Sequence, residues 1–309
     1  MVKELLSCDV FVAGGGAAGM AAALSACENG ASVILAEHMS LPGGVLNRCI
    51  HRGFGLAYFR ENLSGTEYAE RFRKRLEASA VRVMTGTTVL SVSADRTALL
   101  SSAGSLRRVS FQRCILATGS FEKTCASIPL AGTRPAGVYT AGCLQGLMNE
   151  GHFDVGKTIV ILGSGNVGQI MGRQLIMAGK NVLAMIEQKD SPGGLSVHHR
   201  DCIEAYHIPL RLHSTVTELH GTKHLEGVTV KDLRTGEKEL LSCDTLITAL
   251  GLIPDRTLAL PLTENGVTPS WIRLCGNCEE IHDIVDSVTL QGEQEGRYCS
   301  SGIPADRLR

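Results

Sequence analysis

The chain of 309 residues is 44% hydrophobic, 20% charged and only 4% aromatic, with 35 glycines. That is enough apolar material for about two globular domains, and it excludes a disordered tail protein. Thirty Lys and Arg against 31 Asp and Glu leave no cationic surplus to release counterions from nucleic acid or to hold an anionic membrane, so neither is an expected partner.

No stretch reaches the roughly 20 apolar residues of a membrane span, so no integral membrane segment is expected. The first residues run into a glycine turn with no signal-peptide pattern. A cytoplasmic location follows as the expectation. The eleven cysteines, odd in number and scattered through apolar segments, suit a reducing compartment better than a disulfide framework.

Residues 8–13 read as a short apolar strand that enters Gly14-Gly15-Gly16-Ala17-Ala18-Gly19. An Ala-rich helix follows to about Asn29, with Gly30 as its stop, and a second strand over 32–36 ends at Glu37, 23 positions after Gly14. Strand, GxGxxG, helix, strand and acid make a dinucleotide site: Gly14 permits the tight turn, Gly16 lets the backbone approach a pyrophosphate, and Gly19 lets helix pack on strand. The helix start at Ala17 and Ala18 offers N–H groups to the phosphates, and Glu37 would accept from ribose hydroxyls.

Residues 59–79 read as an exposed helix, and the short strands over 81–111 as a small sheet beside the fold. A buried strand at 114–117 ends in Thr118-Gly119. The nucleotide pattern then returns: a strand at 158–162, Gly163-Ser164-Gly165-Asn166-Val167-Gly168, a helix to about Ala178, a strand at 181–186, and Glu187, 24 positions after Gly163. Two such signatures in one chain are far less expected by chance than one. His198, His199 and Cys202 have the spacing of metal ligands on a helix, but with no third ligand evident they read as a solvated helix face, and no metal site is expected. Residues 244–255 form a further strand running into Gly251 and Pro254.

At this point the chain resembles the flavoproteins with two dinucleotide-binding folds, the superfamily of thioredoxin reductase. The resemblance implies an α/β protein of two Rossmann-like three-layer domains, with an NAD domain over 126–247 inserted into an FAD domain split over 1–125 and 248–309. Thr118-Gly119 and the segment from Gly251 to Pro254 look like the two crossings between domains, and residues 274–277 like the last FAD strand, with Asn277 after Gly276 where the superfamily often has Asp. Gly43-Gly44 and the loop to Gly55, residues 132–142 and residues 275–288 are similar to FAD/NAD-binding subunits that accompany glycerol-3-phosphate-type and amino-acid dehydrogenases, among them opine oxidase, cyanide synthase and proline dehydrogenase. FAD and NAD(H) are the implied cofactors. The implied activity is electron transfer between NAD(H) and a small-molecule or redox-protein acceptor, or a partner dehydrogenase subunit.

The hydride chemistry in such a protein belongs to the cofactors, so no acid or base is strictly required. Cys49 and His51 fall in the loop that passes beside the flavin in this superfamily and are the candidate catalytic residues; His51 would relay a proton. Their plainer reading is a buried thiol and a hydrogen-bonded loop histidine. Cys275 and Cys278 form a CxxC expected to open the last helix, where a redox pair would mean a disulfide reductase. The structural reading is favoured, because the superfamily's redox pair belongs in the NAD domain. His282 and Asp283 are placed to meet the flavin's pyrimidine end or to cap that helix. A binding protein that holds nucleotides without turnover is the rival from outside enzymology. Two departures from the superfamily stand out: a return of only some twenty residues between Pro254 and Cys275, and a tail over 298–309 without the expected long closing helix.

Overall fold

The computed structural model describes residues 2–301, and the chain divides into two compact units, 1–121 with 253–309, and 122–252. The crossings fall at 121/122 and 252/253 rather than at 125/126 and 247/248.

In the first unit, β1 (Val2–Ala13), α1 (Ala17–Glu28) and β2 (Val33–Ala36) follow one another, with the two strands parallel. Successive side chains of β1 point to opposite faces of the sheet. Val10 and Val12 join the core beneath the helices, while Phe11 and Ala13 join the core on the other face. Burial on both sides is why the strand reads as an unbroken apolar run. Next comes α2 (Gly65–Glu77), started by a capping box in which the Ser64 hydroxyl accepts from the Glu67 N–H and the Glu67 carboxylate accepts from the Ser64 N–H. The helix expected over 59–79 is thus shorter, and it is half buried: Tyr68, Ala69, Phe72 and Leu76 enter the same core as α1.

The strands β3 (Arg82–Met84), β4 (Thr87–Ser93), β5 (Thr97–Ser102) and β6 (Ser105–Leu116) do not form the separate small sheet expected. They extend the main sheet in the order β3-β2-β1-β6-β5-β4. The physical reason is β6, which runs antiparallel to β5 over its first half and parallel to β1 along most of its length.

The second unit holds β7 (Val138–Thr140), α3 (Ala141–Asn149), β8 (Thr158–Leu162), α4 (Asn166–Met177), β9 (Asn181–Ile186) and β10 (Leu210–Arg211). An antiparallel sheet of β11 (Ser214–His220), β12 (Gly227–Asp232) and β13 (Lys238–Leu241) follows, and then β14 (Thr245–Thr248). The parallel sheet has the order β7-β14-β8-β9-β10. Right-handed crossovers through helices are what parallel neighbours require.

Back in the first unit, β15 (Ile272–Leu274) pairs parallel with β6, and α5 (Val285–Ser300) packs on α1. A Cβ at Gly292 or Gly296 would collide with the carbonyl oxygen of Ala18 or Ala22, so these glycines set how closely the two helices approach. The long closing helix is therefore present, beginning upstream of the tail and running through Tyr298 to Ser300. Residues 302–309 of that tail lie outside the described residues. The CxxC does not open this helix: Cys275 precedes and Cys278 ends a 3-10 turn, Gly276–Cys278, and α5 starts only at Val285.

Candidate functional site

The first glycine turn lies between β1 and α1. Gly14 has φ +103°, and a Cβ there would strike the carbonyl of Ala117; a Cβ at Gly19 would strike the carbonyl of Gly14. Gly16 instead faces open space. No side chain caps α1 and no acid sits in its first turn, so its N–H groups remain available to an anion. Glu37, only 2% exposed, accepts from the Gly15 N–H at 2.7 Å and from the Met39 N–H at 2.7 Å, which fixes the carboxylate at the edge of the turn. The Gly43 N–H donates to the Gly15 carbonyl at 2.7 Å, and a Cβ on Gly44 would lie 3.1 Å from the Gly16 Cα. Gly276, at φ +68°, closes the other side, its Cβ position 2.8 Å from the Ala18 Cβ.

The second unit repeats this construction. Gly163 also has φ +103°, a Cβ there would strike the Ala249 carbonyl, and Gly165 faces open space. Gly168 abuts the Gly163 carbonyl, its Cβ position 2.6 Å away. The first turn of α4, with Asn166 and Val167 leading it, again has no cap and no acid. Glu187, 8% exposed, accepts from the Ser164 N–H at 3.1 Å, the Ser164 hydroxyl at 2.6 Å and the Lys189 N–H at 3.1 Å. Burial pushes its carboxyl up, but those hydrogen bonds outweigh burial and hold it below the usual carboxylate value.

The crossing residues are ordered locally. The Thr118 hydroxyl donates to the Asp255 carbonyl at 2.7 Å, Gly119 at φ +79° accepts from the Asp255 N–H, and Gly251 at φ +100° accepts from the Lys123 N–H. Around the last FAD-like strand, the Cys275 N–H and the Cys278 thiol both donate to the Leu116 carbonyl, at 2.9 and 2.8 Å. Both cysteines are 0% exposed, and burial pushes both thiols up. Asn277 turns its Oδ1 to the His282 N–H at 3.0 Å.

The other candidates lie outside the two glycine turns in sequence. Cys49 is buried, with its Cβ against Gly65 at the start of α2. The His51 Nδ1 pairs with the Arg52 carbonyl at 3.1 Å, and its ring packs on Phe54. His198, His199 and Cys202 are not a solvated helix face: the chain there is a short helical turn followed by a π turn, Cys202 is 1% exposed, and His198 pairs with Asn166. Among the described residues no group of three or more His, Cys, Asp or Glu is placed to hold a metal.

Asp283 is exposed, and the buried acid of that segment is Asp286, whose Oδ2 accepts from the Ala57 N–H at 2.7 Å and the Tyr58 N–H at 3.2 Å. Arg256 is a second residue that local patterns do not reveal: its guanidinium donates to the carbonyls of Cys278 and Glu279. Ser164, Gln169 and the loop after Glu187 are a third group, and here a signal existed. Pro42-Gly43-Gly44 follows Glu37 at the same interval at which Pro192-Gly193-Gly194 follows Glu187.

Two sets of parallel strands, each leading into a glycine turn with open space before a bare helix N-terminus and a fixed acid beside it, define a dinucleotide-dependent oxidoreductase of the two-fold flavoprotein class. The residues present fit the groups implied: a pyrophosphate needs the open space at Gly16 and Gly165 and the unspent N–H groups behind it. The chain belongs to the pyridine nucleotide-disulphide oxidoreductase family, whose profile matches residues 8–272. It is thereby an NAD(P)H- and FAD-dependent oxidoreductase. It is 31% identical to one subunit of the opine oxidase of Rhizobium meliloti (strain 1021) over 181 residues, which is 58% of this chain and 38% of that one. It thus spans well under half the length of that relative. The thioredoxin reductase of Treponema pallidum (strain Nichols) is 24% identical over 249 residues, 80% of this chain and 77% of that one. Among solved structures, thioredoxin reductase from T. acidophilum shares the fold with a TM-score of 0.74 at 22% identity, covering 96% of this chain and 98% of that one. No helix among the described residues is long and apolar enough to cross a membrane.

Proposed function

We propose that the chain is the nucleotide-handling subunit of a larger dehydrogenase and carries electrons between NAD(H) and an acceptor by way of FAD. On this reading Gly14 to Gly19, Glu37, Gly43, Gly44, Thr118, Gly119, Gly276 and Asn277 hold FAD in the first unit. Gly163, Gly165, Asn166, Val167, Gly168 and Glu187 hold NAD(H) in the second, with Gly251 at the crossing. FAD, when bound, supplies the two-electron exchange with the nicotinamide ring; the chain orients the two nucleotides and keeps water from them. Glu187 favours NADH, since its carboxylate pairs with ribose hydroxyls and repels a 2′-phosphate.

The observation that carries this reading over a disulfide reductase is the state of Cys275 and Cys278. Both are wholly buried, both thiols titrate above their usual value, and the Cys278 thiol is held by the backbone carbonyls of Leu116 and Cys275. A redox pair needs an accessible thiolate. The relatives' names support a partner: the matching chains of opine oxidase, hydrogen cyanide synthase and sarcosine oxidase are each one component of an assembly by name. The cytoplasm, which supplies NADH and keeps eleven unpaired cysteines reduced, is the compartment this reading requires.

Anaerobic stopped-flow mixing of the FAD-loaded chain with NADH tests it. Fast loss of visible flavin absorbance, followed by NADH-driven reduction of artificial dyes, is the expected result. Oxidation of an organic substrate should appear only once a partner dehydrogenase chain is present. A flavin that NADH leaves unbleached would reduce the chain to a nucleotide holder.

A further inference from the structure

The second glycine turn carries contacts that the GxGxxG pattern does not account for. The loop after Glu187 returns as Pro192-Gly193-Gly194-Leu195 and lies directly on the turn: a Cβ on Gly193 would sit 3.6 Å from the Gly165 Cα. It therefore borders the open space that Gly165 faces.

Three hydrogen bonds hold it there, and a fourth braces the turn beneath it. The Gly193 N–H donates to the Ser164 hydroxyl at 2.8 Å, and the Gln169 amide donates to the Gly193 carbonyl at 2.6 Å and to the Ser164 carbonyl at 2.6 Å. The Leu195 N–H donates to the Asn166 Oδ1 at 2.7 Å. The same Asn166 oxygen receives His198 Nδ1 at 3.0 Å, which makes Nδ1 the protonated ring nitrogen. Gly194 has φ +77°, and a Cβ there would come within 2.6 Å of Asn166 Oδ1, so the loop can close this tightly only with glycine.

Within this web one atom lacks a partner. Gln169 is 0% exposed, its Nε2 bridges turn and loop, and its Oε1 receives no donor among the described residues. A buried acceptor left unmet costs about 1–3 kcal/mol, so it marks a place for a donor that the described residues do not supply. A ribose hydroxyl or a water carried in with a nucleotide is such a donor.

We propose that residues 192–195 form a clasp on the pyrophosphate side of the nicotinamide dinucleotide, with Asn166 and His198 as the positioning pair that keeps it shut. The inference rests on the reading of the second unit as the NAD(H) site. Its content is kinetic: the dinucleotide leaves only when the loop lifts, so breaking the Asn166 contacts speeds departure and weakens binding together. His198 does not touch the nucleotide. It acts through the Asn166 amide, fixing which way the carboxamide points so that its oxygen faces the loop.

The test uses the FAD-loaded full chain, with NADH as the probe, in displacement stopped flow and titration calorimetry. Asn166→Ala and His198→Ala should each raise the NADH dissociation rate and Kd about tenfold, with FAD content unchanged. His198→Asn, which keeps a donor where Nδ1 lies, should stay within about threefold of wild type. Dissociation rates within twofold of wild type in both alanine variants overturn the clasp. Equal losses in His198→Ala and His198→Asn, accompanied by a lower Tm, also overturn it, because they would show a packing role alone. Should Asn166→Ala not fold, the two His198 variants carry the test unaided. If the wild type takes up no NADH while retaining FAD, the reading of the second unit itself falls and the clasp with it.

Discussion

Cys278→Ser separates the two kinds of chemistry open to this fold. The Cys278 thiol is fully buried and donates to the Leu116 carbonyl at 2.8 Å, a carbonyl that also accepts from the Cys275 N–H at 2.9 Å. Serine keeps a donor in the same place, so the cost is that of burying a hydroxyl already provided with a partner, about 1 kcal/mol. Cys278→Ala removes the donor and leaves a methyl-sized void, about 1 kcal/mol for each loss, while the Leu116 carbonyl keeps its second partner. At about 2–4 °C per kcal/mol for a chain of this size, Tm should fall by about 2–4 °C in the serine variant and by roughly twice that in the alanine variant. NADH-driven dye reduction should stay within about twofold of wild type in both. The paired assay is NADH- or NADPH-driven reduction of a disulfide substrate. Strong disulfide reduction by the wild type, lost in Cys278→Ser while dye reduction persists, would refute the structural role given to this thiol.

Alkylation of the native protein at mildly basic pH, read by mass spectrometry, should modify the exposed Cys143 first and spare Cys8, Cys243 and Cys299, whose thiols burial pushes up to about 12. Gly168→Ala, which sets a Cβ 2.6 Å from the Gly163 carbonyl, should weaken NADH at least tenfold and leave FAD content intact. Glu187→Ala should narrow the preference for NADH over NADPH in kcat/KM; equal values in the wild type would remove Glu187 as the selector. The depressed pKa of Glu187 contributes stability that is fully present above the unfolded value of about 4.5 and is lost as pH falls through the folded value. Glu187→Gln should therefore flatten the fall of Tm on the acid side of that pH, and an unchanged acid limb would show that the hydrogen bonds from Ser164 and Lys189 contribute nothing there.

Both glycine turns and both acids are legible in the sequence because the turn, helix, strand and acid of each lie within 23 or 24 residues and demand particular residue types: glycine where φ is positive or a carbonyl presses close, a carboxylate where backbone N–H groups converge. What is not legible depends on partners far away in the chain. Asp286 holds the backbone at Ala57 and Tyr58, and nothing near Asp286 announces that. The double pairing of β6 is hidden for the same reason: a strand's own pattern says how many of its faces are buried, not which strands flank it. α2 reads as an exposed helix because its charges outnumber its apolar residues, although the apolar ones share a single face. The His198 segment misleads because its spacing suggests a regular helix, which a short turn followed by a π turn is not.

The order in which the parts of the first unit leave the ribosome follows from its division. Its sheet and α1 are synthesised early, but β15 and α5, whose glycines seat against Ala18 and Ala22, come after the whole of the second unit. Until about residue 300 has emerged, α1 lacks the helix that covers it, and the turn at Gly276 that flanks the first glycine loop does not yet exist. The second unit is contiguous and has its own core, so it can close while the first waits. The first unit is thus completed late in the life of the nascent chain, and an apolar Ala-rich helix lacks its covering partner for as long as translation of the roughly 250 residues between α1 and α5 takes.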